Sequence, residues 1–182
     1  AATLVAKLKL SDGGVRHAAV QTLGLLRPEA LAAHAAAVAT KLEDSDEDVR
    51  RAAVETLGKL PPEALATHAA AVLAKLEDSE GGVRRAAVQT LGKLPPEVLA
   101  AHAAAVVAKL EDSDAGVRKA AVETLGQLPP EVLAVHAATL VAKLKLSDGG
   151  VRHAAVQTLG LLRPEALAAH AAAVATKLED SD

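Results

Sequence analysis

The dipeptide Val-Arg recurs at Val15-Arg16, Val49-Arg50, Val83-Arg84, Val117-Arg118 and Val151-Arg152, always 34 residues apart. A fixed period of this length means that one supersecondary unit is stacked on copies of itself, which narrows the fold before any single residue is read. One full unit runs from Pro61 to Leu94 as PPEALATHAAAVLAKLEDSEGGVRRAAVQTLGKL. A longer period lies above it. Residues 1–46 recur unchanged at 137–182, an offset of 136, or four times 34. The chain is therefore a four-repeat block followed by the beginning of the next. Identity over 46 residues beside varied neighbours points to recent duplication, gene synthesis or excerpting from a longer array.

Each unit reads as two helices. The first starts at Pro61-Pro62-Glu63, because proline loses nothing in a first helical turn and Glu63 complements the positive helix end. Leu65, Ala69, Val72 and Leu76 then form one apolar stripe at helical spacing. Glu77-Asp78-Ser79 closes this helix, and Ser79 or Glu80 begins the next, serine being a good N-cap. The second helix carries Val83, Ala87, Val88, Leu91 and Leu94 and stops before Pro95. Gly92, near its end, either admits a neighbouring backbone or eases the turn. No stretch alternates with period two, so the predicted class is all-α: an α-solenoid of tandem 34-residue two-helix repeats. The expected layout is a single domain over 1–182. It holds a partial first helix at 1–10, repeats at about 27–60, 61–94, 95–128 and 129–162, and an unpaired final helix at 163–180.

Composition agrees with a thin stack. Hydrophobic residues make up 51% of the chain, yet Phe, Trp, Tyr, Met and Cys are absent and alanine supplies much of that fraction. Such a core rests on many small contacts, each buried Val or Leu contributing about 1.5–3 kcal/mol and each Ala much less. Enzymes seldom forgo the aromatics that shape pockets. Absence of cysteine removes disulfides, zinc ribbons and thiol catalysis. No uncharged apolar run of about 18 residues marks a membrane span, and no signal-peptide pattern opens the chain. It also lacks an initiating Met, so it is expected to be a fragment, a processed product or the ordered part of a longer polypeptide.

The run Leu-Glu-Asp-Ser-Asp/Glu-x-x-Val-Arg-x-Ala-Ala-Val-x-Thr-Leu-Gly-x-Leu resembles the second-helix signature of HEAT repeats, in particular the short HEAT-like subtype of phycobilisome-lyase-related proteins. The part from Val-Arg onward is present in all five copies. The resemblance makes the helix from Pro61 the A helix and the one around Val83-Arg84 the B helix. It also implies an Asp–Arg ladder between repeats, carried by Asp44 with Arg50, Asp78 with Arg84, and Asp112 with Arg118. Leu10 and Leu146 stand where the Asp would be, so the ladder is expected to be interrupted there, with Arg16 and Arg152 left to a neighbouring repeat's Asp. Tetratricopeptide repeats share the length, but their Trp, Tyr and Phe signature is missing.

Several constellations invite chemistry. Asp44, Asp46, Asp48 and Glu55 match EF-hand loop positions 1, 3, 5 and 12, yet Val49 stands where the sharp turn needs Gly. A solvated turn with the ladder is the reading preferred to calcium. His34, His68, His102, His136 and His170 recur at the repeat period. Stacked helices lie about 8–10 Å apart, too far for neighbouring imidazoles to share one zinc. They read as structural or surface histidines, and no metal or other cofactor is expected. Ser11-Asp12-Gly13-Gly14 lacks the Gly-Lys-Ser/Thr of a phosphate loop. Ser11, Ser45, Ser79, Ser113 and Ser147 read as caps rather than nucleophiles. Interleaved charges without aromatics give no footprint for nucleic acid.

The informative variation lies on the B helix. Equivalent positions read His17, Arg51, Arg85, Lys119 and His153; four residues on, Gln21, Glu55, Gln89, Glu123 and Gln157; four further, Leu25, Lys59, Lys93, Gln127 and Leu161. Sites at i, i+4 and i+8 share one face. In HEAT-like solenoids, by resemblance, B helices line the concave side where partners dock. The bland alternative is a charged solvated face. The terminal segments lack polar caps, which predicts end-to-end self-association. The functional expectation is thus a non-enzymatic scaffold, artificial or idealised, prone to self-association. The alternative is a fragment of a natural scaffold that binds a protein or peptide on its concave face. Lyase activity carried over from the subtype has no catalytic constellation behind it.

Overall fold

The computed structural model describes residues 2–168, and all regular structure among them is helical. The chain divides into two compact units at Pro95/Pro96. The first holds α1 (Ala2–Lys7), α2 (Gly13–Leu23), α3 (Pro28–Ala32), α4 (Ala35–Ala39), α5 (Glu47–Leu57), α6 (Pro62–Ala66), α7 (Ala69–Ala74) and α8 (Gly81–Leu91). The second holds α9 (Pro96–Ala101), α10 (Ala103–Ala108), α11 (Ala115–Leu125), α12 (Pro130–Ala134), α13 (Ala137–Lys143), α14 (Gly149–Leu159) and α15 (Pro164–Ala168). The B helices are α2, α5, α8, α11 and α14, each of 11 residues.

The A helix differs from its sequence reading, because it is split rather than continuous. At His34, His68, His102 and His136 the backbone leaves helical geometry, with φ between −119° and −97° and ψ near zero. Each of these residues donates its N–H to the leucine carbonyl three residues back, at 2.8–2.9 Å. A single such tight turn shifts the helical phase by a fraction of a residue. Leu65, Ala69, Val72 and Leu76 therefore all stay buried, and the apolar pattern reads the same with or without the break. His170 and the rest of the final A helix beyond Ala168 lie outside the described residues.

Of the two B-helix starts that the sequence allows, Ser79 or Glu80, the structure takes the second, and the serines are not the caps. The N-cap is the residue after the serine: Asp12, Asp46, Asp114 and Asp148 each accept the backbone N–H of the valine three residues on, at 2.9–3.3 Å. Glu80 takes the same place without a side-chain cap bond. The shorter carboxylate reaches the third amide of the helix directly, which leaves the serine outside the first turn.

Within the first unit α2 packs on α5 and α5 on α8; within the second, α11 packs on α14. Direct contacts between successive A helices are sparse by comparison. Within each unit the B helices are the tightly stacked layer, and the latter part of each A helix packs on the B helix that follows it. Ala52, Ala53, Ala86 and Ala87 lie in the B-helix seams at 4% exposure or less. Small residues at these positions are what let two helix backbones come this close.

Candidate partner-binding face

Three rows of bonds join successive repeats within each unit. The first is the Asp–Arg ladder. Arg16 donates through Nε and Nη2 to both carboxylate oxygens of Asp44, at 2.8 and 2.6 Å, and Arg50 does the same to Asp78, at 2.8 and 2.9 Å. The remaining nitrogen, Nη1, turns back to the carbonyls six and five residues upstream: Leu10 and Ser11 for Arg16, Asp44 and Ser45 for Arg50. Asp and Arg six residues apart therefore do not pair side chain to side chain. The spacing of six is a backbone contact, and the ion pair reaches the next repeat. Leu10 accordingly costs Arg16 nothing, because only its carbonyl is used.

Burial pushes the carboxyl of Asp44 upward, but the hydrogen bonds from Arg16, the Asp46 backbone N–H and Lys41, together with the Arg16 charge, outweigh it and hold the pKa at about 2. Asp78 is also lowered, by Arg50 and the Glu80 N–H against the same burial. The partners Arg16 and Arg50 are raised, chiefly by these carboxylate hydrogen bonds. Arg84 makes the same backbone bonds, donating to the Asp78 and Ser79 carbonyls at 2.9 Å, and Arg118 donates likewise to those of Asp112 and Ser113.

The second row was not anticipated from sequence. Lys75 and Lys143 are buried at the ends of their A helices, and each reaches a glutamate 32 residues earlier: Lys75 Nζ to Glu43 at 2.8 Å and Lys143 Nζ to Glu111 at 2.5 Å. The signal was present, since lysine occupies this place in every copy: Lys7, Lys41, Lys75, Lys109, Lys143 and Lys177. A lone lysine at a helix end reads as solvated, and only its constancy sets it apart.

The third row sits inside the B-helix seam. The buried Thr56 and Thr90 hydroxyls donate across it to the Val20 and Val54 carbonyls, at 3.4 and 3.3 Å, and Lys59 Nζ donates to Gly24 O at 3.1 Å. Glycines at the B-helix ends make room for this. A Cβ on Gly24 would lie 2.9 Å from Thr56 Oγ1, and one on Gly58 would lie 2.8 Å from Thr90 Oγ1. Both glycines have ordinary helical φ, so close approach rather than backbone freedom explains them.

The variable stripe shares one residue, Lys59, with the third row. Gln21, Glu55, Lys59, Arg85, Gln89, Lys93, Lys119, Glu123, Gln127, His153 and Gln157 are exposed, with His17 and Arg51 half-buried. Leu25 and Leu161 add apolar area, Leu25 at 81% exposure. Arg51 pairs with Asp48 at 2.7 Å, and Lys119 lies 3.9 Å from Glu123. The carboxylates that resemble an EF-hand are drawn into other work: Asp44 on Arg16, Asp46 as a cap and Asp48 on Arg51. His34, His68, His102 and His136 sit half-buried at the A-helix breaks. Among the described residues no helix is long and apolar enough to cross a membrane.

A family profile described as HEAT repeats matches residues 1–75 and 69–135. Among solved structures, the chain is similar to an engineered protein at 20% identity and TM-score 0.69, covering 98% of this chain and 87% of the other. It is similar to a designed armadillo repeat protein in complex with the peptide (KR)4, at 20% identity and TM-score 0.67, covering 98% and 90%. A third likeness is to the phycocyanin lyase complex from Nostoc, at 19% identity and TM-score 0.61, covering 86% and 96%. At these identities the likeness concerns the fold, a helical-repeat solenoid. No curated protein matches the chain.

Proposed function

The chain belongs to the HEAT-repeat family, and from that premise we propose that it is a non-enzymatic scaffold offering its B-helix face to a polypeptide partner. One observation carries the reading. On the B helices the Val-Arg, Ala-Ala-Val and Thr-Leu-Gly frame is constant from copy to copy, whereas the three positions set between these residues at i, i+4 and i+8 change in charge and type and are exposed, apart from the half-buried His17 and Arg51. A surface that varies on an invariant frame can change its partner without changing its fold. The peptide on the designed armadillo repeat protein is a precedent for such use of a related fold, though not for this chain's ligand. The near-identity of the repeats and their restricted alphabet support an idealised or artificial array, with a segment of a natural interaction scaffold as the alternative.

The test is selection from a random peptide library on the 182-residue chain, followed by binding to a variant with Arg51, Arg85 and Lys119 changed to Glu. Selected peptides should lose most of their affinity for this variant while its melting temperature stays within a few degrees. Peptides that bind both proteins equally would place recognition elsewhere.

A second reading, self-association, rests on a different contrast. Leu140 and Val141 are buried, whereas Leu4 and Val5, in the same sequence context, are half-exposed. Sedimentation velocity over a range of concentrations should then show growing species. A concentration-independent monomer would remove this reading.

A further inference from the structure

The rung arginines differ in one place. Arg16 and Arg50 each spend Nε and Nη2 on the aspartate 28 residues ahead. For Arg118 that position is Leu146, which is 39% exposed. Arg118 keeps its backbone bonds through Nη1, to Asp112 O at 2.7 Å and Ser113 O at 3.2 Å, but no described carboxylate closes on the other two nitrogens. Its guanidinium lies instead over the first turn of α14, so near Gly150 that a Cβ there would collide with it. The Asp148 carboxylate feels its charge but is held as the α14 cap by the Val151 N–H.

This guanidinium opens into a cleft of about 330 Å³ between α11 and α14, to which Lys119, His153 and Gln157 contribute and no carboxylate does. The corresponding groove between α5 and α8 has the opposite character. Glu47, Asp48 and Glu80 line it, and Asp48 ties up its only cation, Arg51. The reversal follows from sequence: Ala115 and Gly116 in α11 replace Glu47 and Asp48 of α5.

We propose that the α11–α14 cleft is a receptor for an aspartate or glutamate side chain on an acidic segment of a polypeptide partner, with the open Arg118 fork as its anchor. The proposal rests on the reading of the B-helix face as a binding surface and names the class of segment that face takes. The fork is the same pair of nitrogens that grips aspartate in the other rungs, so it is already set for bidentate carboxylate recognition. Lys119, which also stands 3.9 Å from Glu123, adds partly offset charge at the rim, and the Gln157 amide and His153 ring supply hydrogen-bonding groups for the main chain that follows.

The test is fluorescence anisotropy with a labelled octaglutamate peptide, its octaglutamine counterpart, and inorganic phosphate as competitor. The acidic peptide should bind, and its neutral counterpart should bind about tenfold or more weakly, the scale of a lost charge-assisted contact. Leu146→Asp restores the internal rung, so it should weaken the acidic peptide by a similar factor while leaving the melting temperature equal or higher. Leu10→Asp adds the same charge at the matching position of the first unit, which does not line the α11–α14 cleft, and should change nothing. The proposal is overturned if Leu146→Asp binds the acidic peptide as well as the parent does, if the two peptides bind alike, or if millimolar phosphate displaces the acidic peptide completely. Peptides from the library selection that bind in spite of Leu146→Asp would sink this proposal while leaving the broader reading of the face intact.

Discussion

A single absent methyl group at Gly58 governs how closely two repeats approach. A glycine in a helical conformation normally costs about 0.5–1 kcal/mol relative to alanine, so Gly→Ala should stabilise wherever there is space. At Gly126 the nearest atoms to a new Cβ are 3.4–3.5 Å away, ordinary contact. The space exists because Thr158 bonds to its own helix, at Ala154 O, rather than across the seam. At Gly58 the same Cβ would press on Thr90 Oγ1, which is buried and bonded to Val54 O. Gly126→Ala should therefore raise stability by up to about 1 kcal/mol, and Gly58→Ala should lower it by about 1–3 kcal/mol. Urea denaturation of the two variants checks this, and shifts of the same sign would refute the account of the seam. The B-helix caps separate two neighbours in the same way. Asp148→Ala removes the acceptor for Val151 N–H and should cost about 1 kcal/mol. Ser147→Ala leaves the backbone carbonyl used by Arg152 in place and should cost no more than a few tenths.

Between elements, the ladder makes an acid-sensitive joint. Asp44 has a folded pKa of about 2, below the roughly 3.9 of an unfolded aspartate. A lowered carboxyl contributes stability that is complete above pH 4 and is lost as the pH falls toward 2. Allowing for screening by nearby water, its share is on the order of 1 kcal/mol. Denaturation midpoints measured from pH 5 to pH 2 should fall less steeply in Asp44→Asn than in the parent, with Asp78 supplying the residual slope. An identical slope in both proteins would show that the rung carries no linkage. The pair of helices per unit was legible in sequence because apolar spacing and the Pro-Pro-Glu start agree. The break at the histidines was not, because one tight turn leaves the stripe in phase. The ladder's direction was hidden as well. Sequence gives an interval of six between Asp and Arg, but the carbonyl at that interval takes one nitrogen and the carboxylate 28 residues ahead takes two. The exposure of the varying B-helix positions was legible from their spacing, while each lysine of the buried row looked like an ordinary solvated helix end, and only its constancy set it apart.

For the whole molecule, the duplicated segment is an internal control. Gly13–Leu23 and Gly149–Leu159 have one sequence and form the same helix. Their burial nevertheless diverges. Val20 is fully buried against α5 while Val156 is 49% exposed, and Val15 is 36% exposed while Val151 is 4%. Secondary structure thus follows local sequence, and burial follows the neighbouring repeat. Stability in such an array is close to a sum of repeat and interface terms. Inserting a second copy of residues 61–94 after Leu94 tests this, because the copy brings its own arginine fork, buried lysine and seam threonine. The urea midpoint should rise, and the m-value should rise with the added buried surface. A transition that splits in two, or a midpoint that falls, would mean that the repeats do not couple through these rows. An insert shortened by four residues offers the sharper contrast. It keeps the helical propensity but moves Arg, Lys and Thr off the carboxylates and carbonyls of the next repeat, so it should lower the midpoint although the chain is longer.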